Sequence, residues 1–218
     1  MQLDIGALAD IPQLWLKSRK FRPYTMIPEG SFVENLRLVK NTLKCKSLDG
    51  GAIIECGTWK GGMSAALVEV GGPDREYYFF DSFDGLPPAQ EIDGAKASAL
   101  NGQLKASVSD IKNALALTSC AKDRLHIIPG FFEETLPSFS SPPVAVLRLD
   151  GDWYSSTMTC LKKFWDRVLP LGIIILDDYY MWDGCSRAVH DFLSEIKAKE
   201  RIDKTRFGGV TYIRKLHV

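Results

Sequence analysis

From residue 52 to the end of the chain, short apolar runs rich in β-branched and aromatic residues alternate with segments whose apolar residues recur every three or four positions. This alternation constrains the fold more than any single motif does. Strands separated by helical crossovers pair in parallel, and a parallel sheet is stable only when helices cover both of its faces. The strands are expected at residues 52–56, 76–81, 125–128, 144–150 and 172–177, and the helices between them at 64–70, 109–117, 155–168 and 185–199. Residues 204–206 and 210–214 leave no room for a crossover helix, so that closing pair is expected to be antiparallel.

Ahead of the first strand, residues 31–43 read as an amphipathic helix. Phe32, Val33, Leu36, Val39 and Leu43 share one side, and Glu34, Arg37, Lys40 and Asn41 stand mostly away from it. A length of 218 residues without repeats or low-complexity stretches fits a single α/β domain. Residues 1–45 would supply N-terminal helices and a lid, and 46–218 a Rossmann-like core. Residues 18–30 and 84–107 are too long and too rich in Gly, Pro, Ala and polar residues for simple connections, which marks both as lid candidates, the second as an insertion in the core.

Lysine plus arginine and aspartate plus glutamate balance at 27 each, so bulk electrostatics give no reason to expect a nucleic acid or an anionic membrane as partner. The five cysteines form no C-x-x-C pair and read as reduced thiols. Residues 1–6 lack the start of a leader and no apolar run approaches membrane-spanning length, so a cytoplasmic location is expected.

Ligands of open α/β sheets bind beyond the carboxyl ends of the strands. The first strand ends in Glu55-Cys56-Gly57-Thr58-Trp59-Lys60-Gly61-Gly62, where glycines permit close approach of a ligand to the backbone. G-x-G-x-x-G is absent, and Trp59-Lys60 suits a diphosphate poorly. Glu55 suits the ammonium group of an amino-acid-like ligand such as S-adenosylmethionine; the alternative is an ordinary structural turn. Asp81, some 24 residues beyond Gly57, stands where a ribose-binding acid would, or else caps the turn that follows. Phe131 and Phe132 offer an adenine platform after the third strand, or belong to the core.

The fourth and fifth strands end in Leu149-Asp150-Gly151-Asp152-Trp153-Tyr154 and Leu176-Asp177-Asp178-Tyr179-Tyr180. If those strands are neighbours, Asp150, Asp177 and Asp178 converge on one ion. With basic residues scarce around them in the sequence, three carboxylates would resist ionisation unless a cation neutralised them. Hard oxygen donors without His or Cys select Mg²⁺, Mn²⁺ or Ca²⁺, with Mg²⁺ preferred. The alternative is that Asp150 and Asp178 cap the helices that follow. Asp152, two residues from Asp150 on an extended chain, is the first candidate for general base beside Asp150. Trp153, Tyr154, Tyr179, Tyr180 and Trp182 are candidates for an acceptor pocket. His126, His190 and His217 are expected to be structural or solvent-facing.

Together, Tyr24-Thr25-Met26-Ile27, Glu55-Cys56-Gly57 through Gly62, Phe80-Asp81-Ser82-Phe83, Leu149 through Tyr154 and Leu176 through Tyr179 resemble the macrocin O-methyltransferase (TylF) family over residues 24–192. The resemblance implies a class I methyltransferase with a seven-stranded, mostly parallel sheet. It also implies methylation of a small-molecule hydroxyl from S-adenosylmethionine with Mg²⁺ on Asp150, Asp177 and Asp178. Met26, Glu55, Gly57, Lys60, Asp81, Ser82 and Gly130 would surround the methyl donor. A vicinal-diol sugar is the expected acceptor, a catechol-like phenol or a non-catalytic binding role the alternatives, and a homodimer the expected assembly.

Overall fold

The computed structural model describes residues 10–216; the first six residues, read for a leader, and His217 lie outside them. Seven strands form one sheet in the order β3-β2-β1-β4-β5-β7-β6. They are β1 (Ala52–Cys56), β2 (Tyr77–Asp81), β3 (Leu125–Pro129), β4 (Val144–Leu149), β5 (Val168–Leu176), β6 (Ile202–Lys204) and β7 (Thr211–Arg214). β1 to β5 pair in parallel, and β7 runs antiparallel to both β5 and β6, so β7 alone opposes the rest. The chain order reverses between β1 and β4, which puts the crevice of the sheet between their ends.

Alternate residues of each strand feed two cores. Ile53, Val146, Ile173 and Ile175 pack beneath α1 (Ile11–Ser18), α2 (Glu29–Thr42), α3 (Gly62–Gly71) and α4 (Val108–Leu115). Ile54, Leu147, Leu149 and Ile174 pack beneath α5 (Phe132–Thr135), α6 (Tyr154–Phe164) and α7 (Asp183–Glu195). Burial on both faces is why these strands read as continuous apolar runs. No helix of the described residues is long and apolar enough to cross a membrane, and all five cysteines are free.

Several features depart from expectation. The helix expected to reach residue 168 ends at Phe164, and β5 begins at Val168, where a register shift opposite Val144 and Val146 absorbs the extra residues. The hairpin strand expected at 204–206 lies at Ile202–Lys204, because Gly208 and Gly209, both at positive φ, extend the turn that Thr205 closes through its amide to the Val210 carbonyl. Glu34, placed by periodicity on the polar side of α2, is 3% exposed. The Gly208 turn covers it, and Arg37 satisfies both of its oxygens at 2.7 Å.

Candidate active site

A cavity of about 500 Å³ opens at the carboxyl ends of β1, β2, β4 and β5. Residues 24–28 and parts of 85–104 wall it, so both lid candidates lie over the crevice. The longer one is stapled to the sheet side. Asp93, 1% exposed, accepts from the Tyr154 amide at 2.7 Å, and Trp153 Nε1 donates to the Pro87 carbonyl at 2.8 Å. Nothing within residues 84–107 announces Asp93, since its partner lies 61 residues away.

On the β1/β2 side, the protein uses its own polar groups. Asp81 Oδ2 accepts from the amides of Thr58 (2.7 Å) and Trp59 (2.8 Å), and Oδ1 from that of Phe83 (2.7 Å). This aspartate therefore ties the glycine turn to its own, holding Trp59 and Phe83 at φ +47° and +56°, a region costly for bulky residues. It also lines the cavity with a lone pair left on Oδ1. Gly57, at φ +88°, has no space for a side chain, because a Cβ would stand 1.7 Å from the Asp150 carbonyl oxygen.

Met26, Glu55, Ser82, Phe131 and Phe132 all reach the cavity wall. Three expected residues do not. Lys60 lies over the Trp59 ring at 4.7 Å, and Gly61 and Gly130 are explained by packing, as a Cβ on either would crowd Ile111 or Thr135.

Carboxylates dominate the β4/β5 side. Ligand oxygens of Asp150, Asp177 and Asp178 lie within 4.8 Å of one another. Neither aspartate suspected of capping does so: the residues preceding α6 and α7 are Trp153 and Trp182, and neither helix has a side-chain cap. The expectation that basic residues are scarce needs correction. Arg148, fully buried in β4 opposite Glu55 of β1, sends Nη1 to Glu55 Oε1 (3.0 Å) and Asp150 Oδ2 (2.7 Å) and Nη2 to Asp177 Oδ1 (2.6 Å). The Nη2 contact is an ion pair without hydrogen-bond alignment, and Nε has no partner. One charged residue inside the apolar run 144–149 was the signal for it.

Asp152 reaches this cluster by a turn and not by strand alternation: its φ is +58°, just past the end of β4. Its amide donates to Asp178 Oδ2 at 2.9 Å, and its Oδ1 accepts from Trp182 Nε1 at 2.8 Å. Of the proposed acceptor aromatics only Trp182 lines the cavity. Trp153 is fully buried, Tyr154 bonds Asp191, and Tyr179 bonds the exposed His190. His126 pairs with Glu76 at 2.8 Å.

Five carboxyl groups, of Glu55, Asp150, Asp152, Asp177 and Asp178, thus cluster around one guanidinium, which contacts Glu55, Asp150 and Asp177. Burial pushes Glu55 up to about 7, against the pull of Arg148 and Ser64. Asp152 is raised to about 7 by burial and then Asp150, and Asp177 to about 6 by burial against Arg148. Asp178 is driven upward by burial and its three acidic neighbours. This donor set fits a hard divalent cation, and the cavity volume and aromatic wall fit a nucleoside-sized ligand.

The sequence model of macrocin O-methyltransferases (TylF) matches residues 19–215. The chain belongs to the macrocin O-methyltransferase (TylF) family. Members are O-methyltransferases, and this chain is accordingly an S-adenosylmethionine-dependent O-methyltransferase. It is 31% identical over 191 residues to the 8-demethyl-8-(2,3-dimethoxy-alpha-L-rhamnosyl)-tetracenomycin-C 4'-O-methyltransferase of Streptomyces olivaceus, covering 82% of this chain and 71% of that protein. To the mycinamicin III 3''-O-methyltransferase of Micromonospora griseorubida it is 30% identical, covering 75% and 68%. The solved O-methyltransferase NovP superposes with a TM-score of 0.74 at 26% identity, covering 89% of this chain and 83% of NovP.

Proposed function

We propose that this chain methylates one hydroxyl of a neutral small molecule, a natural-product sugar with vicinal oxygens, using a divalent cation, Mg²⁺ before Mn²⁺ or Ca²⁺, on Asp150, Asp177 and Asp178. The observation that carries the metal reading is the five-to-one excess of carboxyl groups over the Arg148 guanidinium. Supporting the acceptor class, the cavity wall holds seven acidic side chains and a single basic one, itself engaged by three of them. Such a wall repels phosphate-bearing acceptors and nucleic acid. One relative is named for methylating a rhamnosyl-bearing compound, which is the acceptor chemistry favoured for this chain.

S-adenosylmethionine supplies an electrophilic methyl group on sulfonium. A divalent cation held by Asp150, Asp177 and Asp178 would supply a Lewis acid that lowers the pKa of an acceptor hydroxyl. The residues of the chain do the positioning. Asp81 Oδ1 would accept from a ribose hydroxyl, Phe131 or Phe132 would back the adenine, and Glu55, Gly57, Ser82 and Met26 would border the rest of the donor.

Asp152 removes the proton. Trp182 fixes its Oδ1, which leaves Oδ2 without a protein partner among the described residues. The same reading takes the protein as a cytoplasmic homodimer. Exposed Trp15 and Leu16 on α1 support an interface there, and sedimentation tests it.

Calorimetric titration with S-adenosylmethionine, then turnover on a panel of diol sugars and catechols with Mg²⁺ or excess chelator, tests the proposal. Diol-sugar methylation lost in chelator is expected; chelator-insensitive methylation would remove the metal, and catechol preference would replace the acceptor.

A further inference from the structure

Three acids from three neighbouring strands, Glu55 on β1, Asp150 after β4 and Asp177 after β5, meet at one fully buried guanidinium. Val146 precedes Arg148 on the same face of β4 and belongs to the apolar core beneath α1 to α4, so an apolar side chain at 148 would simply continue that stripe. Replacing a buried ion cluster by packed apolar residues is commonly neutral or stabilising, so stability alone does not account for a charge there. The group is not optimised for its own sake either, since Nε lacks a partner and Nη2 is held by charge without alignment.

What the guanidinium does is select oxygens. It occupies Oδ2 of Asp150 and Oδ1 of Asp177, leaving Asp150 Oδ1 and Asp177 Oδ2 for another ligand. On the other side it holds Oε1 of Glu55, while the Ser64 hydroxyl holds Oε2. Glu55 stands on the donor side of the cavity and the aspartates on the cation side. A lysine has the charge but not the planar fork that spans all three acids.

We infer that Arg148 is a positioning residue for both halves of the active site at once, orienting the cation-binding aspartates and the donor-side glutamate through a single guanidinium. This rests on the function proposed above. Groups that orient metal ligands from behind typically change metal affinity 10- to 100-fold when removed.

The test measures Mn²⁺ and S-adenosylmethionine binding by calorimetry for the wild type, Arg148→Lys and Asp178→Asn, with melting curves for each. Arg148→Lys is expected to lose about 10- to 100-fold in Mn²⁺ affinity and to weaken S-adenosylmethionine binding in the same protein. Asp178→Asn, which leaves the Arg148 contacts in place, is expected to lose Mn²⁺ affinity only. A further readout separates positioning from scaffolding: the electron paramagnetic resonance spectrum of residual bound Mn²⁺ changes in Arg148→Lys as its ligand geometry loosens. If Arg148→Lys does not fold, Arg148→Gln takes its place.

A folded Arg148 variant that binds both ligands like the wild type overturns the inference. So does one that loses Mn²⁺ while keeping full S-adenosylmethionine affinity, since Arg148 would then serve the metal side alone. A wild type that binds no S-adenosylmethionine, or binds it but no Mn²⁺, sinks the proposed function instead, and the inference with it.

Discussion

The two sides of the crevice are built from opposite polar balances. At the ends of β1 and β2 the protein satisfies itself: Asp81 accepts from three backbone amides and the turn around Gly57 is locked. At the ends of β4 and β5, carboxyl groups outnumber their single cation, and those of Asp152, Asp177 and Asp178 sit above their ordinary pKa values. The first side pairs its polar groups within the protein; the second holds more carboxyl groups than its one guanidinium can pair. A preformed side suits an organic cofactor recognised by shape, and a charge-deficient side suits an ion.

Substitutions on the two sides should therefore fail differently. The largest effect is expected from Asp177→Asn, with metal-dependent turnover falling below detection while calorimetry finds S-adenosylmethionine affinity largely intact. Turnover by this variant without added metal would break the comparison. Asp152→Asn comes next, with kcat lower by about 10²–10⁴-fold and KM little changed, the signature of a lost proton acceptor. Steady-state kinetics at saturating metal checks it.

Asp81→Ala should instead show in stability. Leaving the Thr58, Trp59 and Phe83 amides unpaired costs about 1–3 kcal/mol, read by urea unfolding together with weaker S-adenosylmethionine binding.

The smallest effect is a pH dependence carried by the acids that gather around Arg148 from both sides. Glu55 and Asp152 near 7, and Asp177 near 6, lie above their ordinary 4.5 and 3.8. A carboxyl with the higher pKa in the folded chain holds its proton more tightly there. Its stabilisation is full below the unfolded value and is lost as pH rises through about 6 to 7. Without ligands, the protein should melt at a lower temperature at pH 8 than at pH 5.5, by roughly 2–4 °C per kcal/mol lost. Saturating Mg²⁺ should remove most of that difference.

Much of the sheet was legible because parallel strands buried on both faces leave unbroken apolar runs, and because a β-α repeat allows few topologies. The acid cluster was legible for a related reason: Asp150, Asp177 and Asp178 each stand at a strand end, and adjacency of β4 and β5 brings them together. The Asp93 staple, the burial of Glu34 and the Glu55 and Asp177 partners of Arg148 were not, because each depends on a contact far along the chain or on a loop whose path periodicity does not encode; Arg148 itself was marked only as one charge inside an apolar run. Asp152 was found for the wrong geometric reason, since an extended chain was assumed where the backbone turns left-handed.

The junction of Gly57 with the Asp150 carbonyl bears on how such an enzyme changes over time. Any side chain at 57 would lever the donor turn away from the acid cluster, so the two sides cannot drift independently. Variation that alters acceptor choice must then accumulate on the cavity's open rim, where Met26, Leu104 and Met181 are 55%, 38% and 70% exposed. A saturation library selected for retained methyl transfer should return glycine alone at 57 and many residues at those three positions.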